Sequence, residues 1–119
     1  MFRSRLSISG LFLIGALVLS GGSTYAEINH SDSANYVMPG CRNYVSDNPN
    51  GDLFKTGLCW GLISSLTLIT DNSCVPTSAT QRQAVAVVIQ YIDARPARMH
   101  EDFRHLALEA MKAAWPCKK

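Results

Sequence analysis

The sequence predicts a small all-α fold, an antiparallel bundle of three to four helices stapled by two disulfides. Three observations carry this expectation. Apolar residues recur at helical spacing in successive segments after residue 34. The links between those segments are short and rich in Asp, Asn, Pro and Gly. Four cysteines, an even number, stand in a chain of only 119 residues. With 47% hydrophobic and 17% charged residues, the chain is too apolar for a disordered protein, and its length excludes a multidomain enzyme.

The first 26 residues read as a secretory signal peptide. Arg3 and Arg5 form a basic start, Leu6 to Leu19 an apolar stretch, and Thr24-Tyr25-Ala26 presents small residues to a signal peptidase. The apolar run is shorter than the ~20 residues of a membrane span. Cleavage after Ala26 leaves a single domain, residues 27–119, destined for the periplasm. Both early arginines are lost with the leader and all nine acidic side chains lie beyond it, so nine basic groups balance nine acidic ones. A neutral domain has no electrostatic reason to bind nucleic acid or an anionic membrane surface.

Glu27 to Ser33 is polar and reads as a loose arm. Val37, Cys41, Tyr44 and Val45 then share one helical face. Pro39 and Gly40 interrupt that face, and because proline suits a first turn, a short helix is expected to begin near Pro39. Asp47 to Asp52 is a turn by composition. Leu53 to Ile69 is apolar on nearly every side, the pattern of a helix central in its domain. Its Gly57 and Gly61 share a face and would admit a neighbouring backbone. Thr80-x-x-Gln83 has the form of a capping box, followed by Val85, Val88, Ile89 and Ile92 on one face and an end at Arg95-Pro96. Pro96 can open the last helix, with Met99, Phe103, Leu106, Ala107, Ala110, Met111 and Ala114 as its apolar stripe. The other side of that helix pairs Glu101 with His105 and Glu109 with Lys112 on a solvated face.

In an exported small domain, Cys41, Cys59, Cys74 and Cys117 read as two disulfides, and the sequence allows three pairings. The order of the helices favours one. The third helix runs back and the fourth returns, bringing Cys117 to Cys74 and leaving Cys41 for Cys59. Each bridge is worth about 3–4 kcal/mol in the chain-entropy account, a large share for so small a core.

No catalytic constellation emerges. His100-Glu101 opens like a zinc-protease motif, but the second histidine, His105, is five residues on and ~140° out of line on a regular helix. There is no C-x-x-C, no G-x-S-x-G and no Gly-rich phosphate loop. Asp93 and Asp102 carry no mark of an acid/base pair. Trp60, Trp115 and Tyr91 could form an aromatic ligand box, but large aromatics at apolar helix positions read as core.

The ordered motifs are Pro39-Gly40-Cys41-Arg42, Cys59-x-Gly61, Cys74-Val75-Pro76, Gln83-Ala84-Val85-x-x-Val88-x-Gln90-Tyr91-Ile92-x-Ala94-Arg95-Pro96, and Leu106-Ala107-Leu108-Glu109-Ala110-x-x-Ala113-Ala114-Trp115-Pro116-Cys117. From Pro39 to Cys117 this resembles the Rap/Tai family of type VI secretion immunity proteins. The resemblance implies a helical periplasmic protein, often a homodimer, that binds a peptidoglycan-amidase effector and blocks its active site. It implies no catalysis and no cofactor, and it supports the four cysteines as disulfide partners.

Blocking a cleft calls for a rigid, exposed segment. The link Asp93-Ala94-Arg95-Pro96-Ala97-Arg98 is the first candidate: Pro96 stiffens it, and Asp93, Arg95 and Arg98 are polar anchors. Val75 to Thr80 is the second. The competing functional reading is a periplasmic acid-stress chaperone. It would use the apolar second helix as client surface and His100 and His105 as pH sensors, and would lose structure below about pH 4.

Overall fold

The computed structural model describes residues 30–69 and 73–118. The expected signal peptide lies outside them. Among the described residues four helices form the fold: α1 (Ala34–Ser46), α2 (Leu53–Ile69), α3 (Gln81–Asp93) and α4 (Phe103–Ala114). Short 3-10 turns at His30–Asp32 and Pro96–Arg98 complete it. Among the described residues the nearest approach to a sheet is one antiparallel bridge between Ser33 and Asp102.

That bridge explains why α1 begins five residues before Pro39 rather than near it. Ser33 is buried. The Ala34 amide donates to the carbonyl of Glu101 at 2.9 Å and the Asn35 amide to that of Met99 at 2.8 Å. Two of the amides that a helix start leaves without an intrahelical acceptor are thereby satisfied by a segment some 65 residues away in sequence. The helix then runs straight through Pro39. Within the stretch expected to be a loose arm, His30–Asp32 forms a 3-10 turn, and Ser33 Oγ donates to the His30 carbonyl at 2.8 Å. The helix ends at Asp47, which takes the left-handed conformation at φ 53°.

α2 has the expected bounds, and Asp52 Oδ1 caps it by accepting from the Lys55 amide at 3.1 Å. α1 and α2 are the most extensively packed pair. Their backbones meet at Gly40: a Cβ there would lie 2.0 Å from the Lys55 carbonyl oxygen. Cys41 and Cys59 form a fully buried disulfide at the same crossing, with Cα atoms 5.3 Å apart. Cys74 and Cys117 form the second bridge, beside a hydrogen bond from the Cys74 amide to the Trp115 carbonyl.

Thr80 caps α3 as expected, its hydroxyl oxygen accepting from the Gln83 amide at 3.1 Å. The last helix departs from expectation. Pro96 opens only a 3-10 turn, and α4 starts at Phe103, where Asp102 Oδ1 accepts from the Arg104 amide at 2.8 Å. A strong cap and the bridge to Ser33 fix the start there. Met99 packs against the core from outside the helix. Phe103, Met38, Ile63, Ile92, Leu106 and Met111 are the largest fully buried side chains, contributed by all four helices. Burying residues of this kind stabilises by about 1.5–3 kcal/mol each before entropy is counted.

Candidate functional site

The link between α3 and α4 is held by a connected set of ionic and aromatic contacts. Arg98 lies at its centre. Its guanidinium donates to both carboxylate oxygens of Glu101 at 2.7–2.8 Å and to both of Glu109 at 2.7 and 3.0 Å. The Tyr91 hydroxyl donates to Glu109 Oε2 at 2.9 Å, and His105 Nε2 lies 2.9 Å from Glu109 Oε1. Arg95 lies over the Tyr91 ring, 3.6 Å from its centroid, and donates to the Tyr91 carbonyl. Fork-to-fork arginine–carboxylate pairs fix direction as well as distance, so residues 95–101 are tied to both flanking helices.

The electrostatics follow. The Arg98 guanidinium, with help from the Tyr91 hydroxyl, pulls the Glu109 carboxyl from an ordinary 4.5 down to about 2. Glu101 is lowered by the same guanidinium, and Arg98 is raised in return. At the start of the link, Asp93 forms a two-point pair with Arg42 of α1 at 2.6 and 2.8 Å, which lowers its carboxyl. Asp102 is lowered by Arg104.

The four link residues singled out by sequence therefore have different surroundings. Asp93 faces α1. Arg95 is half-buried on Tyr91. Pro96 and Ala97 stand exposed. Arg98 is turned inward, with its side chain 31% exposed. The expected pairing of Glu101 with His105 and Glu109 with Lys112 is replaced: Glu101 meets Arg98, while Glu109 meets Arg98, Tyr91 and His105. The contacts of Glu109 with Arg98 and Tyr91 were missed because they join positions 11 and 18 residues apart, beyond any helical repeat. In the second link the Ala79 amide donates to the Pro76 carbonyl at 2.9 Å, closing a turn just after the Cys74 bridge.

A shallow groove of about 340 Å³ runs between α3 and α4, lined by Val87, Gln90, Tyr91, Ala94, Arg95 and alanines of α4. Its walls carry no nucleophile or acid/base pair. Among the described residues no group of three His, Cys, Asp or Glu side chains could hold a metal ion. None of the described helices is long and apolar enough to cross a membrane.

α2 gives the largest departure from expectation. It is not central. Ile63 and Cys59 are buried, but Leu53, Phe54, Trp60 and Leu68 are 78%, 70%, 50% and 86% exposed. Trp60 is therefore an outward side chain, whereas Trp115 and Tyr91 do pack against the core. Nothing lies within 4 Å of a Cβ built on Gly57 or Gly61. The helix is apolar on both sides, and the chain covers only the side that carries Cys59 and Ile63.

A family model described as Rap1a immunity proteins matches residues 33–117. No curated protein and no solved structure matches the chain.

Proposed function

The chain belongs to the Rap1a immunity protein family, and from that premise we propose that it is exported to the periplasm and neutralises a secreted cell-wall effector there. The effector is a peptidoglycan amidase delivered by type VI secretion, and the immunity protein acts without a cofactor by occupying its active-site cleft. Two disulfides in a 13 kDa chain suit an oxidising compartment, and the leader-like first 26 residues supply the route. The family reading also carries a homodimer.

The observation that carries the choice of contact segment is the double clamp on Arg98. It leaves Pro96 and Ala97 exposed on a link already fixed to α3 and α4. A segment ordered before binding loses little entropy on entering a cleft, and this pre-organisation favours affinity. Asp93, Arg95 and Pro96 form the contact edge, and Arg98 holds its shape. With no net charge on the exported domain, affinity depends only modestly on salt.

The test is a pull-down of the oxidised, tagged protein from its own periplasm, with co-purifying chains identified by mass spectrometry. One stoichiometric amidase, silenced by adding the protein, supports the reading. A broad set of clients that grows at acid pH overturns it in favour of a chaperone.

A further inference from the structure

The outer face of α2 is apolar and exposed. Seven residues lie within one third of the helix circumference at 100° per residue: Leu53, Phe54, Gly57, Trp60, Gly61, Ser64 and Leu68. None is charged. The nearest cation on the helix, Lys55, is turned the other way onto the Tyr36 ring, 4.5 Å from its centroid. Covering the face therefore desolvates no ionised group, unlike a typical rim-type contact.

Phe54 apart, the spacing on this face is palindromic: from either end a leucine is followed by a small residue and then by the central pair. Leu53 mirrors Leu68, Gly57 mirrors Ser64, and Trp60 mirrors Gly61. Each pair is symmetric about the midpoint between residues 60 and 61. A two-fold contact matches each position with its mirror image on an antiparallel copy. Leucine would meet leucine at both ends, small would meet small where the helices cross, and each indole would enter the notch at the partner's Gly61. A face carrying both the bulge and the notch, in mirror order, is complementary to itself.

The area is of the right size. The four exposed side chains present about 300–500 Å² of apolar surface. That is at least half of the roughly 600 Å² per copy at which specific interfaces begin. The glycines permit the close backbone approach that brings in the remainder.

We propose that α2 is a self-association surface, pairing with α2 of a second copy in an antiparallel arrangement centred between Trp60 and Gly61. This rests on the two-copy part of the reading above and names its surface and register; the effector-binding link takes no part in it.

The test uses the exported, oxidised protein. Light scattering behind size exclusion gives twice the chain mass for the native protein. Gly61→Leu places bulk where the monomer has open space, so helical circular dichroism and the monomer's core are unchanged, while association weakens at least about a hundredfold. A mixture of Leu53→Cys and Leu68→Cys copies cross-links, whereas Leu53→Cys alone does not. A native protein that is monomeric overturns both the two-copy reading and this surface. A dimer that survives Gly61→Leu overturns the surface alone. Self-cross-linking of Leu53→Cys overturns the antiparallel register. None of these outcomes touches the effector reading, which the pull-down decides.

Discussion

Arg98 Nη1 lies 2.7 Å from Glu109 Oε2, joining the α3–α4 link to the middle of α4. The pair makes a pH prediction with a definite sign. The Glu109 carboxyl is lower in the folded protein than its ordinary 4.5, at about 2. Its stabilising contribution is complete above about pH 4.5 and disappears as pH falls through about 2. Glu109→Gln therefore unfolds at a lower temperature than the native protein at pH 7. That gap narrows below pH 4.5 and closes near pH 2, as thermal melts followed by circular dichroism will show. A constant gap across the range would mean that Glu109 acts through packing, not charge.

The same pairs bear on the acid-stress reading, which requires structure to be lost below about pH 4. Asp93, Glu101, Asp102 and Glu109 are all lowered by arginine partners. Each pair's contribution shrinks as the pH falls below the ordinary carboxylate range, so the fold is expected to be less stable at pH 3 than at pH 7. Far- and near-ultraviolet circular dichroism at both checks it: loss of the near-ultraviolet signal with helicity retained would mark an acid-loosened state.

Glycines at two places on the α1–α2 pair should respond oppositely. Gly40→Ala pushes a methyl against the Lys55 carbonyl, a backbone group that cannot swing away. Overpacking of that kind costs about 1–3 kcal/mol, and in a domain of this size each kcal/mol lowers Tm by roughly 4–8 °C. Gly57→Ala meets nothing within 4 Å. It replaces a poor helix former with the best one and raises the stability of the monomer by about 0.5–1 kcal/mol. Denaturant titration of both variants under monomeric conditions tests the contrast.

What the sequence disclosed and what it hid divide along one physical line. The bounds of α2, the Thr80 cap and the helical face of α3 depend on neighbours within four residues, and all were legible. The pairing of Cys74 with Cys117 followed from the order of the helices alone. The start of α1 was not legible, because Ala34 and Asn35 donate to Glu101 and Met99 rather than to a local cap. The start of α4 was misplaced for a related reason: Pro96 is a good first-turn residue, but the Asp102 cap and the bridge to Ser33 set the start at Phe103. α2 was misread as central because its apolar residues run round the whole helix, while the fold covers only the side that carries Cys59 and Ile63. At the candidate site, the sequence placed Asp93, Arg95, Pro96 and Arg98 together on the link after α3. The carboxylates that orient Arg98 were visible only as members of an amphipathic helix.

The two disulfides differ in burial, and their chemistry should differ accordingly. Cys41 and Cys59 are fully buried at the α1–α2 crossing, whereas Cys74 is exposed and Cys117 half-buried. Thiol–disulfide exchange needs a thiolate to reach a sulfur atom, so access separates the two bridges kinetically. Mild reduction of the folded protein is expected to open Cys74–Cys117 first, and alkylation followed by peptide mapping will find the label at those two positions only. Opening the second bridge awaits global unfolding. The first opening carries its own consequence: the 43-residue loop it closes corresponds to about 4 kcal/mol in the chain-entropy account. A Cys74→Ala, Cys117→Ala protein should stay folded at 25 °C but lose much of its resistance to denaturant. The Cys41–Cys59 bridge in that variant should then become reducible at a rate that tracks unfolding. Equal labelling of all four cysteines in the native protein under mild reductant would show instead that the α1–α2 crossing opens on its own.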